Sequence, residues 1–189
     1  MPQWAVLGTA PTSAGRSHYG RGMLTRPATL ADAGEILTVQ RAAFLAEGQR
    51  YREPNLLPLR ETFDEVRAAI ADPACTVLVA ELGPGDLNLD GTPARPGRLV
   101  GSGRLSVAGE TAWVSRLAVA PDRQGTGVGS AVLRALHAAV PPGVLRTRLR
   151  TGAGSQGNLD WYGRAGYIRL GRSENELGVE LTLMERPAG

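Results

Sequence analysis

The chain has 189 residues, 42% of them apolar and 21% charged, with a net charge of +3, a length that suits one domain burying roughly 70% of the surface its unfolded form would expose. No apolar run approaches the roughly 20 residues that span a bilayer, so no membrane-crossing segment is expected. All 21 basic residues are arginine, which removes the lysine of a P-loop, of pyridoxal phosphate attachment and of Schiff-base chemistry together.

Cys75 is alone, so neither an intrachain disulfide nor a cysteine zinc cluster can form, and a reducing cytoplasm is the expected setting. His18 and His137 have no partner at metal-ligand spacing. A metal site and a Ser-His-Asp mechanism are therefore not expected.

Residues 1–22, rich in Gly, Pro and Ser and without the apolar core of a signal peptide, read as a loose extension. Met23 is a plausible alternative start, and 23–189 read as a single domain. A short strand opens the segment from Met23. A helix follows, capped by Thr29, with Ala33, Ile36, Leu37, Ala43 and Phe44 on one side. A second helix starts at Thr62, whose spacing to Glu65 is that of a capping box, and stops before Pro73. Strands are predicted over 75–82, 97–107 and 111–120, the last two forming a hairpin through 108–110. The turn-rich stretch 83–97 is a surface loop. A glycine-rich turn then enters a helix with Val128, Val132, Leu136 and Val140 on one stripe, closed by Pro141 and Pro142. A strand over 144–151, a short helix over 158–165 closed by Gly166, and strands over 167–171 and 178–184 complete the order βααβββαβαββ. The fold class is a mixed α/β domain with a largely antiparallel sheet.

The turn Gln124-Gly125-Thr126-Gly127-Val128-Gly129 raises the question of what needs so many bare amides at the mouth of a helix. Unpaired N–H groups and the positive end of the helix dipole make such a place an anion site, for which phosphate is the first suspect. A dinucleotide fold would need G-x-G-x-x-G after a first strand and an acidic residue about 20 positions on. Here the spacing is G-x-G-x-G, late in the chain, with 147–149 holding Thr-Arg-Leu. A ligand-free turn stays open on these residues alone.

The same hexapeptide resembles the Q/R-x-x-G-x-G/A signature of the GNAT superfamily of acetyl-CoA-dependent N-acyltransferases, and "LAVAPDRQ" resembles the segment that leads into it. "GNLDWYGRAGY", with Asn158, Tyr162, Gly166 and Tyr167, is similar to the family's second acyl-CoA element. The strand and helix order is also the family's, over roughly Leu24 to Glu185. The resemblance implies the GNAT fold, with strands splayed at the coenzyme site, and acetyl-CoA as donor co-substrate with no metal. It further implies that Leu117, Ala118 and Val119 pair with the pantetheine arm, with the Val119 N–H as oxyanion donor. Amides from Gln124 through Gly125, Thr126, Gly127, Val128 and Gly129 to Ser130 would cradle the pyrophosphate. Asn158 would hold the arm, and Tyr162, one turn further on the same face, would hold it and protonate the leaving thiolate.

Many members carry a glutamate on the strand occupied here by Ser115 and Arg116. Glu47, at the end of the first helix, is the substitute base expected here, with Glu53 and Glu110 behind it and a water chain as an alternative. Arg123 is a candidate contact for coenzyme phosphates. Arg146, Arg148 and Arg150 alternate along one strand face; neighbouring carboxylates or solvent are preferred there to a nucleic-acid backbone. The expected function is acetyl transfer to a primary amine of a small molecule or peptide by direct attack in a ternary complex. The missing carboxylate keeps a second reading open, an acyl-CoA sensor or partner-binding module without turnover. Neither nucleic acid nor membrane is an expected partner, and a homodimer is expected only as the habit of such folds.

Overall fold

The computed structural model describes residues 22–188 and the backbone of Ser17–His18. The remainder of the expected N-terminal extension lies outside the described residues. Strands β1 (Ser17–His18), β2 (Leu24–Pro27), β3 (Cys75–Glu81), β4 (Leu99–Ala108), β5 (Thr111–Val119), β6 (Arg146–Gly152), β7 (Ile168–Glu174) and β8 (Glu180–Pro187) form one sheet. Its order is β1-β2-β3-β4-β5-β6-β8-β7. Every neighbouring pair is antiparallel except β5 and β6. The helices are α1 (Ala33–Tyr51), α2 (Leu57–Arg60), α3 (Phe63–Ala71), α4 (Val128–Ala138) and α5 (Gln156–Arg164).

Local chemistry accounts for most of these boundaries. Thr62 and Glu65 form the expected reciprocal cap, Thr62 N–H donating to Glu65 Oε2 at 2.7 Å and Glu65 N–H to Thr62 Oγ1 at 3.2 Å. Thr29 caps a single 3-10 turn, Leu30–Asp32, that precedes α1. Its amide and hydroxyl both donate to Asp32. The short helix α2, led by Pro58 in its first turn, has too few residues to show a periodicity and was not expected.

Alternation along β4 separates the two faces of the sheet. Gly101 and Gly103 face α4, where an added Cβ would lie 2.6 Å from Val128 Cγ1 and 2.8 Å from Leu136 Cδ1, so bare glycines let the helix sit close. Val128, Val132 and Leu136 are buried there with Leu105, Val114 and Leu149. Ser102 and Arg104 face the other way, toward α1 and α2, Arg104 reaching Glu61. Beside that face Ala33, Ile36 and Val66 pack on Val77, Val79 and Leu99.

Candidate active site

Strands β5 and β6 are in register only over Thr111–Trp113 and Arg146–Arg148. Beyond Trp113 they part, leaving the outer edge of β5 without a strand partner. On the inner edge, Ala120 N–H donates to Val100 O at 2.9 Å, and Ala118 stands opposite Ser102 and Val119 opposite Gly101. Hydrogen-bonded pairs alternate in an antiparallel ladder, so the backbone of Ala118 is committed to β4 and that of Val119 points into the gap. Ala118, expected with Leu117 and Val119 to pair with the pantetheine arm, thus has its backbone groups turned to β4. Two residues of β5, Arg116 and Leu117, oppose the single Gly103, a bulge that holds Arg116 at φ 52°.

At the mouth of the gap the chain makes a 3-10 turn, Pro121–Arg123, and then the glycine turn. Gly125 and Gly127 have φ of 77° and 92°, values that L side chains rarely adopt. Gln124 to Gly127 are exposed. The first intrahelical bond of α4 is Ala131 N–H to Gly127 O, which leaves the first-turn amides of Val128, Gly129 and Ser130 without helical acceptors. Ser130 also lines an open cavity of about 390 Å³ between α4 and α5, whose walls include Arg134, Arg164, Arg186 and Trp161.

Arg123 is placed differently from the expectation. Its guanidinium is buried and donates to Leu87 O at 2.7 Å and Asn88 Oδ1 at 3.0 Å, tying down the 83–97 loop instead of presenting its charge at the turn. Thr126 likewise turns its hydroxyl onto Arg123 O.

On the far side of the gap, α5 exposes Asn158 and half-buries Tyr162 one turn later. Burial, and secondly the charge of Glu47, push the Tyr162 phenol well above its ordinary pKa. Glu47, on α1, is near enough for its charge to act on the phenol. Its Oε2 accepts from Ser155 Oγ. The Ser155 hydroxyl is in turn 3.0 Å from that of Tyr51, which accepts from Gly154 N–H at 2.9 Å. With the amide and the serine oriented so, Tyr51 donates to Ser155 and Ser155 to Glu47, a one-way chain ending on the carboxylate. Gly152 is where Tyr51 passes, since a Cβ there would overlap the phenol. Ser155 precedes α5 as an N-cap residue would, yet makes no capping bond; its hydroxyl goes instead to a partner 108 residues away. Glu53 accepts from Asn55 N–H in a local turn, and Glu110 pairs with Arg146 at the β4–β5 hairpin. Neither joins Glu47.

Behind the bulge lies a second polar group that sequence reading missed. Glu61 accepts from Arg104 by two bonds of 2.7 and 3.0 Å and from Gln40 Nε2 at 2.7 Å. Arg116 Nε stands 3.4 Å from Glu61 Oε2. Burial alone would raise the Glu61 carboxyl; the Arg104 and Gln40 hydrogen bonds with the two cationic charges outweigh it and hold the group below the usual carboxylate range. The arginine row of β6 is engaged by neighbours: Arg148 pairs with Glu185 at 2.7 Å and Arg150 stacks 4.7 Å over Trp113. His137 is an ordinary helix position held by Tyr167 at 2.8 Å and Arg186 at 2.8 Å. Among the described residues no group of three His, Cys, Asp or Glu is placed to hold a metal ion, and no helix is long and apolar enough to cross a membrane.

A splayed sheet with an outward strand amide and a bare helix N-terminus defines a class of acyl-transfer folds. The acetyltransferase (GNAT) domain family model matches residues 73–169, just over half the chain, and the chain belongs to that family. No curated protein sequence matches it. Among solved structures, the paiA N-acetyltransferase of Thermoplasma acidophilum in complex with coenzyme A aligns with TM-score 0.65 at 16% identity, over 87% of this chain and 98% of that one. The ribosomal-protein-S18-alanine N-acetyltransferase of Escherichia coli aligns with 0.65 at 14%, over 88% and 94%. A spermidine N-acetyltransferase chimera of Vibrio cholerae and human sequence aligns with 0.62 at 17%, over 88% and 96%. These likenesses establish the fold.

Proposed function

We propose that this chain transfers the acetyl group of acetyl-CoA to an amine. The observation that carries the reading is the parting of β5 from β6, with the Val119 N–H turned into the gap and the free amides of α4 at its mouth. The residues fit such a donor. An extended amide-bearing arm can take the place of the missing strand, diphosphate oxygens suit unpaired helix amides, and the arginine-lined cavity beside Ser130 suits a further phosphate. In this reading Val119 and Leu117 meet the arm, the turn from Gln124 to Ser130 meets the diphosphate, and Asn158 steadies the arm from α5. Arg123 has the supporting role of bracing the turn from behind.

Over the reaction a carbon–nitrogen bond forms and a carbon–sulfur bond breaks, while an ammonium acceptor sheds two protons. One leaves to solvent through Glu47 and one ends on the departing sulfur. Glu47, held by Ser155 and Tyr51, is oriented to accept. Tyr162 keeps its proton at neutral pH because its pKa is raised. A thiolate with an ordinary pKa of about 8.5 is a poor match for so weak an acid. Burial is the larger cause of the raised pKa and the Glu47 charge the lesser, so a proton on Glu47 lowers it only in part.

Thiol release from acetyl-CoA in the presence of polyamines, amino acids, aminoglycosides and peptide N-termini tests the proposal. Release above the hydrolysis background with at least one amine is the expected result. Coenzyme binding without release for the whole panel would leave the sensor alternative in its place.

A further inference from the structure

Among the described residues four buried side-chain polar atoms have no hydrogen bond, and three of them lie between α1 and the face of β4 and β5 that looks toward it: Gln40 Oε1 on α1, Ser102 Oγ on β4 and Arg116 Nε on β5. Gln40 and Arg116 both approach Glu61, and Ser102 is the next residue on the same strand face as Arg104. Unmet polar atoms gathered in one place are the mark of a missing partner. Charge says which kind. The single carboxylate, Glu61, is matched by the two-pronged Arg104, leaving Arg116 as a surplus cation with one loose ion contact. About a quarter of its side chain is exposed. The bulge holds Arg116 in the left-handed region, a conformation that persists in non-glycine residues where the surroundings enforce it and that concentrates at functional sites. The donors are thus fixed, partly desolvated and reachable.

We propose that Arg116 binds a carboxylate carried by the amine acceptor itself, so that the acceptor is a small amine with an anionic group, an amino acid in the simplest case; this rests on the acetyl-transfer reading above. A guanidinium meets a carboxylate through paired N–H donors, and the pairing strengthens as water is excluded. Glu47 stands two turns beyond Gln40 on α1. The structure thus offers a cation at Arg116 and an anion at Glu47 for the two charges of a zwitterionic amine. A polyamine would instead bring positive charge to Arg116.

The test needs no turnover. N-acetyl derivatives of the standard amino acids, each beside its carboxamide, and N-acetylspermidine are titrated by ligand-observed NMR against protein saturated with coenzyme A. At least one acid is expected to bind about tenfold or more tighter than its carboxamide, with Arg116→Gln bringing the two within about twofold and Arg116→Lys keeping part of the preference. N-acetylspermidine as the tightest ligand, no acid preference in the parent, or a preference that survives Arg116→Gln would each overturn the assignment. Should Arg116→Gln fail to fold, the parent's acid-to-amide ratio and Arg116→Lys decide it. Thiol release with the corresponding free amino acids is read separately: acid-selective binding without release would remove the transfer reading and keep the anion site.

Discussion

Tyr162 on α5 and Glu47 on α1 are near enough for the carboxylate to act on the phenol, and the roles proposed for them separate in kinetics. Tyr162→Phe keeps the ring packed against Trp161 and Tyr167 and removes only the donor. Turnover at saturating acetyl-CoA should fall by roughly 10²–10⁴-fold with coenzyme affinity little changed. Unchanged turnover would leave water as the proton source. Glu47→Gln should lower kcat with coenzyme affinity little changed; an unchanged kcat would point to another base. His137 gives a prediction about stability. Burial first, and the charge of Arg186 second, lower its pKa from 6.5 to about 4, so the folded state holds it neutral. That contribution is full above pH 6.5 and is lost as pH falls from 6.5 toward 4, because the unfolded chain takes up the proton first. Glu61, whose pKa is also depressed, adds its own loss only below the ordinary carboxylate range near 4.5. Thermal melts of the parent should therefore weaken between pH 6.5 and 4.5, and His137→Gln should flatten that interval. Glu61→Gln, which leaves Arg104 buried and unmatched, should cost about 3–5 kcal/mol in urea unfolding.

At the level of elements, α4 is held close to the sheet by absent side chains and opened at its N-terminus by the same means. Gly103→Val drives a side chain into Leu136 and Val132 and should destabilise the fold by about 1–3 kcal/mol through overpacking. Gly127→Val meets open space but forces a branched residue to φ 92° at the cap of α4. Its signature should be weakened coenzyme binding with the fold retained, measured by titration calorimetry beside circular dichroism. Binding as tight as the parent's would restore a turn without a ligand. Gly129 is the milder position, since a Cβ there makes ordinary contact with Val119 and Trp161. At the end of β6, Gly152→Ala displaces Tyr51 and with it the chain to Glu47. A fall in kcat without a change in coenzyme affinity is expected there.

For the molecule as a whole, a ligand that binds only the native state raises its melting temperature by mass action. Acetyl-CoA should do so at concentrations where NAD and ATP do far less; equal shifts from all three would indicate a general anion effect. The family match, residues 73–169, takes in β3 to α5 with the glycine turn, and leaves out α1, α2 and Glu61. That division follows how the two halves are encoded. A turn that must offer bare amides requires glycines at set spacing, and a helix that must lie on a sheet requires an apolar stripe, so both are visible within a few residues of chain. The order of strands and helices apart from β1 and α2, the Thr62 cap, the stripe of α4 and the glycine turn were legible for that reason. The acceptor side obeys no such local rule. Ser155 stands at the N-cap of α5 and serves Glu47 instead of the helix, and Arg123, expected at the phosphates, is tied to the 83–97 loop. Sequence alone determined most of the elements and the glycine motif, because propensity, capping and periodicity act between near neighbours. Only the tertiary structure decided that β8 inserts between β6 and β7, that β5 and β6 part after Trp113, and that Arg116 is left over when Glu61 chooses Arg104. Those outcomes depend on which distant side chains share a dry space, where one carboxylate can fully match only one of two arginines.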